Sequence, residues 1–108
     1  MIEITDQEAQ KAVDYLVSSS KEYADWKARM KYLEKHHKSV LASESLKGHG
    51  KVSENKLRAE ASETYKDILI EYKEAVAEFT LIEAYRNAAE TKVDLYRTMS
   101  ASMRRGNI

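Results

Sequence analysis

Residues 45–55 read SLKGHGKVSEN and hold two of the chain's three glycines, one of its three histidines and a Gly-Lys-x-Ser run. A phosphate-cradling loop needs G-x-x-x-x-G-K-[ST] between a strand and a helix, so that backbone N–H groups and the lysine converge on phosphate oxygens. Here Val52 follows Gly50-Lys51, Ser45 stands where the first glycine belongs, and no strand pattern precedes them. A chain reversal explains the glycines better, with Gly48 closing a helix in a left-handed conformation and Gly50 letting the chain turn back. A second candidate is Glu34-Lys35-His36-His37. Glu-x-x-His sets a carboxylate and an imidazole on one helix face, the spacing that di-metal helical bundles repeat. A histidine at the helix seam with a hydrogen-bond partner accounts for the same residues. His49 stands about three turns from His37, too far to share an ion. No metal site and no cofactor are expected.

Catalysis finds no constellation. The chain lacks cysteine, which excludes a thiolate nucleophile, a disulfide framework and Cys-type zinc sites. Its carboxylates fall mostly on expected solvent faces, and long helices offer no obvious concave pocket. No catalytic residue is assigned. Charge distribution says more. The 18 basic and 18 acidic side chains cancel, which argues against an acidic DNA mimic and against a globally basic nucleic-acid binder. Yet residues 27–58 carry nine bases against three acids, while both flanks are mildly acidic. Lys35, Lys38, Lys47, Lys51, Lys56 and Arg58, with Lys27, Arg29 and Lys31 behind them, form a basic region around the reversal. Such a cluster binds phosphates by counterion release without reading sequence, and Tyr32 is the aromatic best placed to stack on a base. A solvated face that keeps a long helix soluble is the plainer account, and lysines steering an acidic protein partner is a third.

The elements that would position these groups are two long helices. Ala12, Leu16, Ser19, Tyr23, Trp26, Met30, Leu33, His37 and Val40 recur at steps of four and three, the seam of a coiled-coil-like helix. Ala61, Tyr65, Ile68, Tyr72, Ala75, Phe79, Ile82, Arg86, Ala89, Val93 and Tyr96 repeat the pattern. The spacing predicts an all-α fold: an antiparallel hairpin with helices over about 6–47 and 53–104 and a turn over about 48–52, a single helical domain. Asp6 and Ser53 are the expected N-caps. Reflecting the chain about His49 pairs Leu16 with Ile82, Ser19 with Phe79, Trp26 with Tyr72, Leu33 with Tyr65 and His37 with Ala61. It also sets Arg86 level with Asp14, where a salt bridge is expected. Two helices make a thin core, and further apolar groups lie off the seam: Val13, Val17, Leu41, Leu69, Val76, Leu81, Tyr85 and Leu95. A second copy completing a dimeric four-helix bundle is the expected cover; the alternative is a monomer whose second helix breaks near Ser62. Beyond Val93 the register leaves the second helix overhanging, so Tyr96, Met99, Met103 and Arg104 are interface candidates.

The segment Ile82–Gly106, IEAYRNAAETKVDLYRTMSASMRRG, resembles the alanine-rich C-terminal helix of small helical proteins encoded by tailed bacteriophages. Tyr96, Arg97, Thr98, Ser100, Ala101 and Arg104 carry the likeness, which covers about a quarter of the chain and leaves the first helix and the glycine turn without a counterpart. Such proteins often lie among replication and recombination genes. The resemblance implies a host- or phage-protein partner and a tail that matters for assembly or docking. With no apolar run near the ~18 residues of a membrane span, a cytoplasmic protein that does not engage a membrane is expected. The sequence as a whole points to a non-enzymatic binding protein acting on nucleic acid or on nucleic-acid-processing machinery, or else to an inhibitor or adaptor of a host protein.

Overall fold

Thr5 starts the first helix by accepting the Glu8 N–H on its hydroxyl at 3.1 Å, which satisfies one of the donors every helix start leaves unpaired. The computed structural model describes residues 3–106, and its elements are α1 (Asp6–Ser18), α2 (Ser20–Leu46), α3 (Val52–Glu60) and α4 (Glu63–Gly106). The fold is all-α, with no strand among the described residues. Contacts gather into two compact units: Ala24–Thr80, and the described residues 3–23 with 81–106.

Each expected long helix is interrupted. The first breaks at Ser19, where three serines meet. Ser20 Oγ donates to the Leu16 carbonyl at 2.6 Å and Ser18 Oγ to that of Tyr15 at 3.3 Å, back-bonding that competes with the helical ladder where α1 gives way to α2. The second breaks at Ala61–Ser62. Ser62 Oγ donates to the Ala59 carbonyl at 2.7 Å and accepts the Tyr65 N–H at 3.2 Å, so one hydroxyl closes α3 and opens α4. The caps differ from expectation accordingly: Thr5 replaces Asp6, and α3 begins after Lys51 rather than at Ser53.

The turn is locked by a side chain. Asn55 Oδ1 accepts the Gly50 N–H and its Nδ2 donates to the Gly50 carbonyl, both at 3.1 Å. No glycine among the described residues has positive φ, so Gly48 is not a left-handed cap. It is needed for space, because a Cβ there would collide with the Asn55 amide and the Arg58 guanidinium.

Within the first unit, α1 faces the C-terminal stretch of α4 through small side chains. Ala9, Ala12, Ile82 and Ala89 are buried, and so is Ser19. Arg86 does not pair with Asp14. Its Nη1 donates to the Leu16 carbonyl at 2.8 Å and to Ser19 Oγ at 2.7 Å, and its guanidinium lies 4.8 Å from the centre of the Tyr23 ring. The room that the serines leave is taken by this guanidinium. Replacing Arg86 with Met leaves the buried Ser19 hydroxyl without its donor and the Leu16 carbonyl with Ser20 Oγ as its remaining side-chain donor. We expect it to lower the unfolding free energy by about 2 kcal/mol, read from urea unfolding.

In the second unit Leu33, Ala59 and Ala75 are buried, and Leu33, 2 % exposed, is the largest side chain that is fully covered. His37 stacks on Tyr72 with ring centres 4.7 Å apart, and Arg29 reaches Glu71 at 3.8 Å. Reflection about His49 pairs His37 with Ala61; the residue it meets is eleven places further on. Tyr23, expected at Ala75, meets Glu83 at 3.4 Å. Asp6, level with Lys92 by reflection, meets Tyr96 instead. Every displacement runs toward the C-terminus, because α3 takes up residues that the reflection assigned to the returning arm. Ala61, an expected seam residue, is exposed at the break, whereas from Tyr65 to Tyr96 the seam positions are buried or half-buried.

Candidate nucleic-acid interface

The buried side of α2 decides which of its residues face water. With Met30, Leu33, His37 and Val40 turned inward, Lys27, Lys31, Lys35 and Lys38 fall within about 80° of the helix circumference, nearly opposite Leu33. All four are exposed. They span eleven residues, about 16 Å, or roughly five base-pair steps of duplex at 3.4 Å each. Glu34 borders the line on one side. On the other, Tyr32 is exposed and stacks on His36 with ring centres 5.1 Å apart and planes 16° from parallel. A row of ammonium groups edged by an open aromatic face can follow a phosphate backbone and stack on a base.

The remaining cationic candidates lie off this line. Lys47 Nζ lies 2.7 Å from Glu44 Oε1 and is partly neutralised. Arg58 folds its guanidinium over Gly48, and Arg29 faces Glu71. Lys51 and Lys56 are exposed at the start and middle of α3. Within this unit the acids concentrate on α4, where Glu63, Asp67, Glu71, Glu74 and Glu78 are exposed. Bases outnumber acids on α2 and acids outnumber bases on this stretch of α4, although the whole chain is neutral.

His37 Nδ1 lies 2.9 Å from the Leu33 carbonyl, which can only accept, so Nδ1 carries the proton. With its ring against Tyr72, His37 is held as a packed histidine. Among the described residues no three histidine or carboxylate side chains come together as metal ligands.

The tail candidates sit in the other unit. Tyr96 donates its hydroxyl to Asp6 Oδ1 at 2.5 Å, and Met99 and Met103 line a cavity with Ile4 and Thr5, so the expected overhang is already met by the chain's own start up to this level. The pairing expected between Tyr96 and Ile2 lies outside the described residues. Arg104 is exposed in the last turn. The hydrogen bond to Asp6, reinforced by that carboxylate's charge, holds the Tyr96 phenol protonated above its usual pKa of 10.0, with the Ser100 bond acting the other way. A phenol with a raised folded-state pKa contributes its stabilisation fully below the unfolded value and loses it as pH climbs through the folded one. Titration of phenolate absorbance is expected to show one of the seven tyrosines ionising after the others, and Tyr96→Phe removes that late step.

Sequence spacing pointed to a basic region around the turn; helix phase places its core in the α2 line, with Lys27 and Lys31 as central as Lys35 and Lys38. The Asn55 clasp and the Arg86 anchor were missed. Asn55 lies five residues from Gly50, a reach that no periodic pattern marks, and Arg86 is a charged residue at a seam position, which was a visible signal read toward the wrong acceptor.

Fold and site together define an all-α protein of interrupted antiparallel helices carrying an exposed basic line. No protein-family model, curated protein or solved structure matches the chain.

Proposed function

We propose that this chain is a non-enzymatic binding protein that holds nucleic acid along the outer face of α2. The observation that carries the reading is the alignment of Lys27, Lys31, Lys35 and Lys38 on the side opposite buried Leu33, edged by the Tyr32–His36 stack. Lys51 and Lys56 extend the contact, while Lys47 and Arg58 contribute less because Glu44 and the turn already engage them. Binding of this kind follows phosphate charge and falls steeply with salt. Fluorescence anisotropy with single-stranded and duplex oligonucleotides, titrated from low to high salt, tests it. Absence of binding at low salt sinks the reading.

The tail residues Tyr96, Arg97, Thr98, Ser100, Ala101 and Arg104 support a phage accessory role in the host cytoplasm, next to nucleic-acid-processing machinery. Among the described residues no helix is long and apolar enough to cross a membrane. Self-association belongs to the same reading: large apolar groups stay at the surface and, among the described residues, only Leu33 is fully covered, a thin core that a second copy would thicken. A protein-interaction module is the second reading. Leu46, Val52 and Leu57 are exposed around the turn, and three such groups there suit an apolar partner surface. Under that reading Leu46→Ser with Leu57→Ser abolishes capture of a partner, whereas the α2 lysines are dispensable.

A further inference from the structure

Leu81, Tyr85, Ala88, Lys92, Leu95, Met99 and Met103 recur along α4 at steps of four and three, so they line one side of the helix. Leu81, Tyr85, Leu95 and Met103 are 51, 58, 41 and 67 % exposed, large values for a row that is apolar except at Lys92. Cavities follow the row. One of about 280 Å³ lies where Tyr85, Ala88 and Lys92 face Lys11 and Tyr15 of α1. Others of about 290 and 470 Å³ lie at Met99 and Met103, the first walled by Ile4 and Thr5. The side of this unit that shows α1 and α4 together therefore carries a discontinuous channel along this row, about 33 Å from end to end, whose walls include Glu3, Asp6, Glu8 and Lys11 beside the apolar groups.

We infer that this channel receives the same face of a second copy, running antiparallel. The inference rests on the self-association proposed above and names the surface responsible. Two helices side by side, 8–10 Å apart, give a face about 20 Å wide and a footprint of about 650 Å² per copy, close to the ~800 Å² that a stable interface buries on each side. Sequence along the row selects the direction. Antiparallel pairing centred near residue 90 sets Leu81 against Met99 of the second copy, Tyr85 against its Leu95, and Ala88 against its Lys92. The alanine makes room where the lysine's aliphatic stem crosses. Parallel pairing stacks Lys92 on Lys92 and arginine on arginine.

Molecular mass measured by light scattering across a concentration series, together with cysteine pairing, tests this. The wild-type chain is expected to dimerise, and Tyr85→Glu with Leu95→Glu to weaken the dimer at least about 100-fold at unchanged helicity, since both carboxylates would be buried. The chain has no cysteine of its own, so Ala88→Cys and Lys92→Cys proteins mixed under mild oxidation report direction: a mixed disulfide is expected to outpace either homodisulfide. A 12.4 kDa species at every concentration overturns self-association itself. A dimer indifferent to the two glutamates overturns this face while leaving self-association standing, and faster Ala88→Cys homodisulfides overturn the antiparallel register.

Discussion

Leu33→Ala lowers the unfolding free energy by about 3–4 kcal/mol, the upper middle of the range for emptying a buried leucine site. Leu33 is the largest side chain that the fold covers completely, 2 % exposed, and the other buried side chains of that unit, Ala59 and Ala75, are too small to fill the vacated volume. The loss combines the transfer of three carbons' worth of apolar surface with a cavity that a thin helical layer refills poorly. A chain of this size has about 5–15 kcal/mol in total, so the variant forfeits a large share of it. A fall in melting temperature on the order of 15 °C by circular dichroism follows. Met30→Ala, one turn away but only half-buried, loses distinctly less. A Leu33→Ala loss below about 1 kcal/mol would show that the packing centre lies elsewhere.

Leu33 was legible because periodicity alone assigns helix faces. Steps of four and three carry a residue back to the same side of a helix, whatever the partner is. That is why the inward positions of α2, and those of α4 from Tyr65 to Tyr96, agree with the sequence reading. Level is a different matter. Which residue stands across from His37 depends on how much chain the connection consumes, and the connection contains its own helix. α3 has four of its nine residues charged and closes on a serine, and nothing in its spacing separates it from the start of a longer helix. Ser62 was the one local signal for a break, a small hydroxyl able to cap backwards and forwards at once. Arg86 shows the same limit in chemistry. Its seam position was read correctly and its partner was not, because a helix carbonyl has a second lone pair that can accept a side-chain donor and no spacing marks it. The basic face lies between these cases. Sequence located the cations, but only the buried direction of α2 shows which lysines share one exposed side of the helix.

That sorting makes the second large effect specific. Lys31→Glu, Lys35→Glu and Lys38→Glu together are expected to abolish detectable nucleic-acid binding, while Lys47→Glu alone changes it little because Glu44 already neutralises that ammonium. Each lysine that neutralises a phosphate adds about −0.9 to the slope of log K against log salt, so changing Lys31, Lys35 and Lys38 to Gln instead is expected to flatten that slope by about 2.7. Tyr32→Ala separates stacking from charge. It should reduce affinity for single strands by about 10-fold, equivalent to one lost base stack, and leave the salt slope unchanged, since no phosphate contact goes with the ring. The lysines stand nearly opposite Leu33, so these substitutions leave thermal unfolding almost unaltered, and loss of binding at unchanged melting temperature assigns the effect to the surface. A triple variant that binds as tightly as wild type, with the same slope, would move the phosphate contact off α2 and leave Leu46, Val52 and Leu57 at the turn as the surface to follow.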